Sequence, residues 1–313
     1  MASMLSFVYC FDQNYKFQAE TAIISLLENV DEKVNINIIY SESSLNLNSS
    51  ITNHKYLDKL NIYHFKANRY TFPNLEGVHV SEATYYRFFI SDYINDDSEY
   101  LIYLDTDIVC VNNPLPILKE EIKNLKNSNY LISASTEYKF DIQIEEFKRL
   151  SLSGDYFNAG VLIIKYTEWQ KKQIGNSLLN HMENIKNTIR YWDQDVLNSF
   201  FNGDYVEISH LLNYSTSTQV DYKSEYKEII DKVFFLHFSG KIKPWYIKGT
   251  DSKVAEVYHR NYRKLNYNNY HLTSRNRKLD TYDLLRIFLK LNILKLDKKS
   301  NFLIQSLKTI VRI

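Results

Sequence analysis

The sequence predicts an α/β fold: a Rossmann-like, mixed but mostly parallel sheet with helices on both faces, followed by a helical basic C-terminal tail. Three observations carry this expectation. Short runs that are apolar throughout recur along the chain, as strands covered on both faces require. Segments with apolar residues at helical spacing lie between them, the βαβ alternation of a parallel sheet. With 313 residues and 44% apolar content, the chain can bury a large core without disulfide or metal staples.

Taken in order, residues 5–11 (LSFVYCF) form a first strand. Residues 14–29 place Phe17, Thr21, Ile24 and Leu27 on one helical face. Residues 34–40 (VNINIIY) form a second strand. Residues 54–60 are expected to be helical and 62–65 to be a third strand. Ser81 can cap a helix running to Tyr93. A fourth strand, 100–104, ends at Asp105. Pro114 suits the first turn of the next helix, where its missing N–H costs little. Residues 131–134, 160–164 and 233–238 are expected to be further strands, and 167–182 and 193–201 helices. A break near Gly249 divides the chain into a body, 1–250, and a tail, 251–313.

Composition excludes several classes. Lys and Arg number 38 against 37 Asp and Glu, so the chain is neither an acidic disordered segment nor a uniformly basic nucleic-acid coat. Two cysteines, Cys10 and Cys110, exclude a disulfide scaffold and a Cys-rich zinc site, and fit a reducing compartment. Neither G-x-G-x-x-G nor G-x-x-x-x-G-K-[ST] is present. The opening MASMLSFVYCF lacks a basic region and a long apolar stretch, so no secretory signal is expected. No apolar run reaches the ~18 residues of a spanning helix.

Charge is nevertheless uneven. Residues 253–313 hold 14 Lys and Arg but only 4 Asp and Glu. Within 279–296 (LDTYDLLRIFLKLNILKL) the polar Asp283, Arg286 and Lys290, with Asp297 beyond, recur along one stripe of an otherwise apolar helix. A basic amphipathic end predicts peripheral binding to an anionic membrane surface through residues 275–313; packing on the body or on a second copy is the alternative. Nucleic acid is not an expected partner.

The stretch YLIYLDTDIVC carries the most chemistry. In an open α/β sheet, ligands bind beyond the carboxyl ends of the strands. Asp105 and Asp107 stand there and can share one hard divalent cation, Mn²⁺ or Mg²⁺. The same D-x-D-x-V run also fits a haloacid dehalogenase-type phosphatase, with Asp105 as nucleophile and Asp107 as general acid/base. Against that reading, the motif lies about 100 residues into the chain, and Gly203-Asp204 is not followed by that class's acidic pattern. A non-catalytic sugar-nucleotide-binding module is a third option.

Five motifs in order decide the matter: FDQNY at 11–15, ATYYRFFISDYI at 83–94, YFNAGVLIIKYTEW at 156–169, YWDQDVLN at 191–198 and LHFSGKIKPW at 236–245. With them the chain resembles the retaining glycosyltransferases of family 8, which include bacterial lipopolysaccharide α-galactosyl- and glucosyltransferases and glycogenin. The resemblance implies a GT-A type fold, a UDP-sugar donor and a glycan or glycolipid acceptor, with galactose or glucose transferred and its α configuration retained. It places Asp12, Asn14 and Tyr15 on the uridine. Cys10 and Thr106 join the donor-binding set. Arg87 falls near the donor sugar and Asp105. Asn158, Ala159 and Asp193 meet sugar hydroxyls, and Gln194 lies beneath the anomeric carbon. Asp193, Gln194 and Arg87 are the implied catalytic residues, with Asp195 supporting its helix. His237 joins Asp105 and Asp107 as the third metal ligand, and Gly240 and Lys243 face the pyrophosphate. Acceptor contacts are expected around His79, Glu82 and Glu137. The implied location is cytoplasmic, on the inner face of a bacterial plasma membrane.

Overall fold

The computed structural model describes residues 4–66, 71–73, 81–95, 97–216 and 225–311. Strands β1 (Ser6–Phe11), β2 (Val34–Tyr40) and β4 (Tyr100–Leu104) are buried along their whole length, as their apolar runs predict. They lie in a seven-stranded sheet of order β3-β2-β1-β4-β7-β6-β8, where β3 is Leu57–His64, β6 Ile132–Tyr138, β7 Tyr156–Lys165 and β8 Val206–Glu207. The β3-β2-β1-β4 half is parallel, and β7 runs antiparallel to both its neighbours. A second sheet joins β5 (Ile108–Cys110), β10 (Phe235–His237) and β9 (Tyr214–Ser215) in the order β5-β10-β9.

Two crossings position the site. The chain leaves β1 toward β2 and β3 on one side, then returns to β4 on the other, which opens a crevice beyond the carboxyl ends of β1 and β4. Asp12 follows β1 and Asp105 follows β4. Because β7 is antiparallel to β4, with Val161 opposite Leu104, the Asn158-Ala159-Gly160 stretch in its first half lies at that same mouth. Pairing of His237 with Ile108 then brings β10 to the aspartates from the far side.

Three elements differ from expectation. Residues 54–60 are not helical: a single turn, Ser49–Thr52, precedes β3, which begins at Leu57. Leu57 and Leu60 suit either period, and ladder bonds to β2 settle it; as an edge strand β3 can expose Asp58 and Lys59. The expected helix from Ser81 is mostly a 3₁₀ segment, Glu82–Phe89, capped by the Ser81 hydroxyl. The expected helix 167–182 is two, Tyr166–Lys171 and Ile174–Ile185, broken at Gln173, whose φ is +51°.

The C-terminal region is docked in its first part. Helix Ala255–Lys264 packs on helix Lys16–Asn29, and Phe17 meets Tyr262, Tyr267 and His271 edge-on or tilted. Helices Arg277–Leu289 and Lys299–Val311 close a small core of Tyr270, Leu284, Ile287, Ile293 and Phe302 over Ile247. Asp283 points inward and pairs with Arg275, while Leu285, Leu289, Leu291, Leu294 and Leu307 are exposed. The polar stripe thus lies partly inside and apolar side chains face out.

Candidate active site

A cavity of about 390 Å³ opens beyond the carboxyl ends of β1 and β4. Its wall includes Cys10, Asp12, Tyr15, Arg87, Asp105, Thr106, Asp107, Asn158, Ala159, Asp193, Gln194, His237, Gly240 and Lys243. Of the residues the sequence singles out for donor and metal, only Asn14 does not line it. Asn14 is exposed, and its side chain turns back to the Asp12 carboxylate at 3.4 Å. Asp12 also accepts from the backbone N–H of Asn14 and Tyr15, at 2.9 and 3.2 Å, so it caps the turn that presents Tyr15. The Tyr15 ring stands edge-on to Trp245 at 6.2 Å.

Arg87 is the buried hub. Its Nη2 donates to Asp105 Oδ1 at 2.7 Å, its Nη1 to the Ala159 carbonyl at 2.6 Å, and its Nε lies 2.8 Å from Asp193 Oδ2. The guanidinium lies over the Tyr103 ring at 4.0 Å, and the Tyr103 hydroxyl donates to Asp105 Oδ1 at 2.8 Å. Burial works against the Arg87 charge, but Asp193, Tyr103 and Asp105 hold it firmly protonated. Two carboxylates from distant segments are thereby braced by one rigid fork, which a lysine could not do.

Asp193 follows Trp192, whose φ of +48° puts a non-glycine residue in the left-handed region, at a cost of about 1–3 kcal/mol. That turn starts helix Trp192–Phe201 and aims Asp193 and Gln194 into the cavity. Burial pushes the Asp193 carboxyl up to about 6, with Asp105 adding to the shift and Arg87 and the Thr84 hydroxyl opposing it. Gln194 is held at both ends: Oε1 accepts from the Ala159 N–H at 3.0 Å, and Nε2 donates to Glu137 at 3.1 Å. Asp195 points away from the cavity. It takes both guanidinium nitrogens of Arg149, the Tyr156 hydroxyl and two backbone N–H groups, and so supports the helix start.

Asp105, Asp107 and His237 each bring one donor atom into a group whose atoms lie within 4.8 Å of one another. Asp107 Oδ2 accepts from Lys243 Nζ at 2.6 Å; Asp107 Oδ1 is buried, makes no hydrogen bond, and lies 3.2 Å from His237 Nε2. Burial raises the Asp107 carboxyl, but Lys243 and His237 outweigh it and hold it well below the usual carboxylate range. An ionised, orphaned oxygen beside an imidazole nitrogen and a second carboxylate fits a hard divalent cation. Gly160 makes room for the imidazole: a Cβ there would lie 2.5 Å from His237 Cε1. Gly240, at φ +87°, turns the loop that carries Lys243 beneath the site.

Glu137 lines the cavity, whereas Glu82 accepts from Tyr86 and does not; His79 lies outside the described residues. Sequence reading missed Thr84, Tyr103 and Asn213. Two had a signal: Tyr103 shares a strand face with Asp105, and Thr84 precedes Arg87 by one 3₁₀ turn.

The family model described as Glycosyl transferase family 8 matches residues 6–248. Among curated proteins, the chain is 28% identical over 250 residues to a lipopolysaccharide 1,2-glucosyltransferase of Escherichia coli, covering 75% of this chain and 71% of that one. It is 24% identical over 262 residues to the lipopolysaccharide 1,3-galactosyltransferase of Salmonella typhimurium, covering 79% and 75%. Among solved structures, the galactosyltransferase LgtC, crystallised with donor and acceptor sugar analogs, shares the fold with a TM-score of 0.64 at 20% identity, covering 88% of this chain and 99% of that one. The phosphatase alternative loses its footing here, since Asp105 Oδ1 is bound by Arg87 and Tyr103 within a sheet of a different kinship. A motif order, a fold and a family match that agree over most of its length make this chain a member of glycosyl transferase family 8.

Proposed function

We propose that the protein is a metal-dependent, retaining glycosyltransferase that moves galactose or glucose from a UDP-hexose to a hydroxyl of a bacterial surface glycan or glycoprotein glycan. The observation that carries the proposal is the convergence of Asp105, Asp107 and His237 at a cavity whose other wall is Asn158, Ala159, Asp193 and Gln194. A divalent cation held by the first three, Mn²⁺ or Mg²⁺, would stabilise negative charge growing on the departing phosphate. Lys243, already paired with Asp107, adds a fixed positive charge beside it. Asp193 and Asn158 hold the sugar hydroxyls, and Arg87 keeps Asp193 in register with Asp105.

Retention comes from the family resemblance, and the residue beneath the sugar then selects the route. Gln194 is an amide with both ends engaged, hence a poor nucleophile for double displacement. The acceptor hydroxyl therefore attacks from the face the phosphate leaves, and the phosphate oxygen takes its proton. Glu137, Tyr15 and the uridine-side residues Cys10, Asp12 and Thr106 complete the donor and acceptor walls.

The division of labour we propose is catalysis in residues 1–250 and, within the tail 251–313, membrane attachment through 275–313. Leu289 is 85% exposed, and Leu285, Leu291, Leu294 and Leu307 are exposed with it. Lys290, Lys295, Lys298 and Lys299 are exposed in the same stretch of chain. Exposed leucines among lysines suit the anionic inner leaflet of a bacterial plasma membrane, approached from the cytoplasm. Among the described residues, no helix is long and apolar enough to cross a membrane.

The relatives named above differ in donor sugar at similar identity, so the test screens both. UDP-galactose and UDP-glucose are incubated with the protein, Mn²⁺ and no acceptor, and UDP release is followed. Slow hydrolysis of one donor, abolished by chelator, supports the proposal. Release that is indifferent to chelator, or none from any UDP-hexose, overturns it.

A further inference from the structure

Asn213 stands just before β9, is buried, and belongs to none of the motifs above. Its side chain connects the proposed metal ligand His237 to the proposed sugar ligand Asn158. The direction of every bond in this chain is fixed by one backbone group. The Gly160 N–H can only donate, and it meets Asn158 Oδ1 at 3.0 Å. That atom is therefore the carbonyl oxygen, and the Asn158 amide nitrogen faces Glu137 at 3.3 Å. The Asn213 atom 2.9 Å from Asn158 Oδ1 must then be its amide nitrogen. Asn213 Oδ1 is left facing His237 Nδ1 at 2.8 Å, where it can only accept. The proton of the neutral imidazole is thus held on Nδ1, and the Nε2 lone pair is turned toward Asp107.

We infer that Asn213 is a positioning residue: it fixes the tautomer and plane of His237 so that Nε2 is offered to the cation, and it ties that ligand to Asn158 and, through Glu137, to Gln194. The inference rests on the metal site proposed above. Partners on the far nitrogen of a ligating histidine set its tautomer and orientation and typically change metal affinity by about 10–100-fold. Asn213 can also couple the cation to the donor sugar, because Asn158 Oδ1 is shared between Asn213 and the strand.

Two measurements test this. The first is ¹⁵N NMR of histidine-labelled wild-type protein, metal-free and alkaline enough that the ring is neutral, with His237 assigned against His237→Gln. A protonated Nδ1 and an unprotonated Nε2 are expected; the reverse overturns the inference even if both Asn213 variants fail to fold. The second is Mn²⁺ binding alone, by EPR, to wild type, Asn213→Leu and Asn213→Asp. Asn213→Leu should lose about 10–100-fold in affinity. Asn213→Asp keeps an acceptor for the Nδ1–H and should bind within a few-fold of wild type, while its KM for the donor rises through the lost bond to Asn158. Equal binding by Asn213→Leu and wild type, or equal losses in both variants, overturns the inference. Absence of Mn²⁺ binding in wild type would instead sink the metal site itself, a separate outcome.

Discussion

Arg87→Met removes one side chain and leaves the buried Asp193 carboxylate and the half-buried Asp105 carboxylate without their guanidinium. The guanidinium it deletes touches Asp105 Oδ1 at 2.7 Å, Asp193 Oδ2 at 2.8 Å and the Ala159 carbonyl at 2.6 Å. Breaking a buried pair by removing one member costs about 3–5 kcal/mol, because the remaining charge stays desolvated. For 313 residues, at about 2.1 cal/mol/K of unfolding entropy per residue, that corresponds to a fall in melting temperature of roughly 5–8 °C. The loss depends on pH with a definite sign. Asp193 titrates at about 6 when folded, against an ordinary value of 3.8. Without Arg87 it titrates higher still, so on acidification the folded variant takes up a proton that its unfolded chain does not. The gap to wild type should therefore narrow by about 1–2 kcal/mol between pH 7.5 and 5.5. Scanning fluorimetry at both pH values reads this directly, and adding Asp193→Asn to the variant should restore part of the loss. An unchanged melting temperature at pH 7.5, or a gap that widens on acidification, would refute the hub role of Arg87.

Two other consequences can be checked in the same preparations. Gly160→Ala places a methyl group 2.5 Å from His237 Cε1 and 2.8 Å from Nδ1, so the ring must shift; Mn²⁺ affinity by EPR should fall about 10-fold or more, and wild-type affinity would contradict the close fit. Leu285→Asp with Leu289→Asp should abolish flotation with anionic liposomes while UDP-hexose hydrolysis is kept; undiminished flotation would remove the membrane role of the tail.

What was legible in the sequence followed from strong local signals. β1, β2 and β4 are buried on both faces and therefore read as unbroken apolar runs. Asp105 and Asp107 stood out because they end such a run, and His237 because of its spacing to Gly240, Lys243, Pro244 and Trp245. The first part of β3, Leu57–Leu60, reads as helix because an edge strand half exposed to solvent can carry Asp58 and Lys59 without a clear period, whereas 62–65 reads as strand. The antiparallel course of β7 is invisible locally, yet it is what delivers Asn158 and Gly160 to the site. Asn213 precedes a two-residue strand with no pattern of its own, and its role exists only through partners 24 and 55 residues away. In the tail, helical spacing of polar residues suggested an outward stripe, but the Arg275–Asp283 pair made it cheaper to turn Asp283 inward.

Calorimetric titration of UDP into the protein, with Mn²⁺ present and again after chelation, addresses the metal-and-nucleotide claim most directly. With the cation, binding should tighten by at least about 10-fold, a coupling of about 1.4 kcal/mol between the two ligands, and the effect should vanish in Asp107→Asn. Equal UDP affinity in both conditions would show that Asp105, Asp107 and His237 hold no cation for the nucleotide.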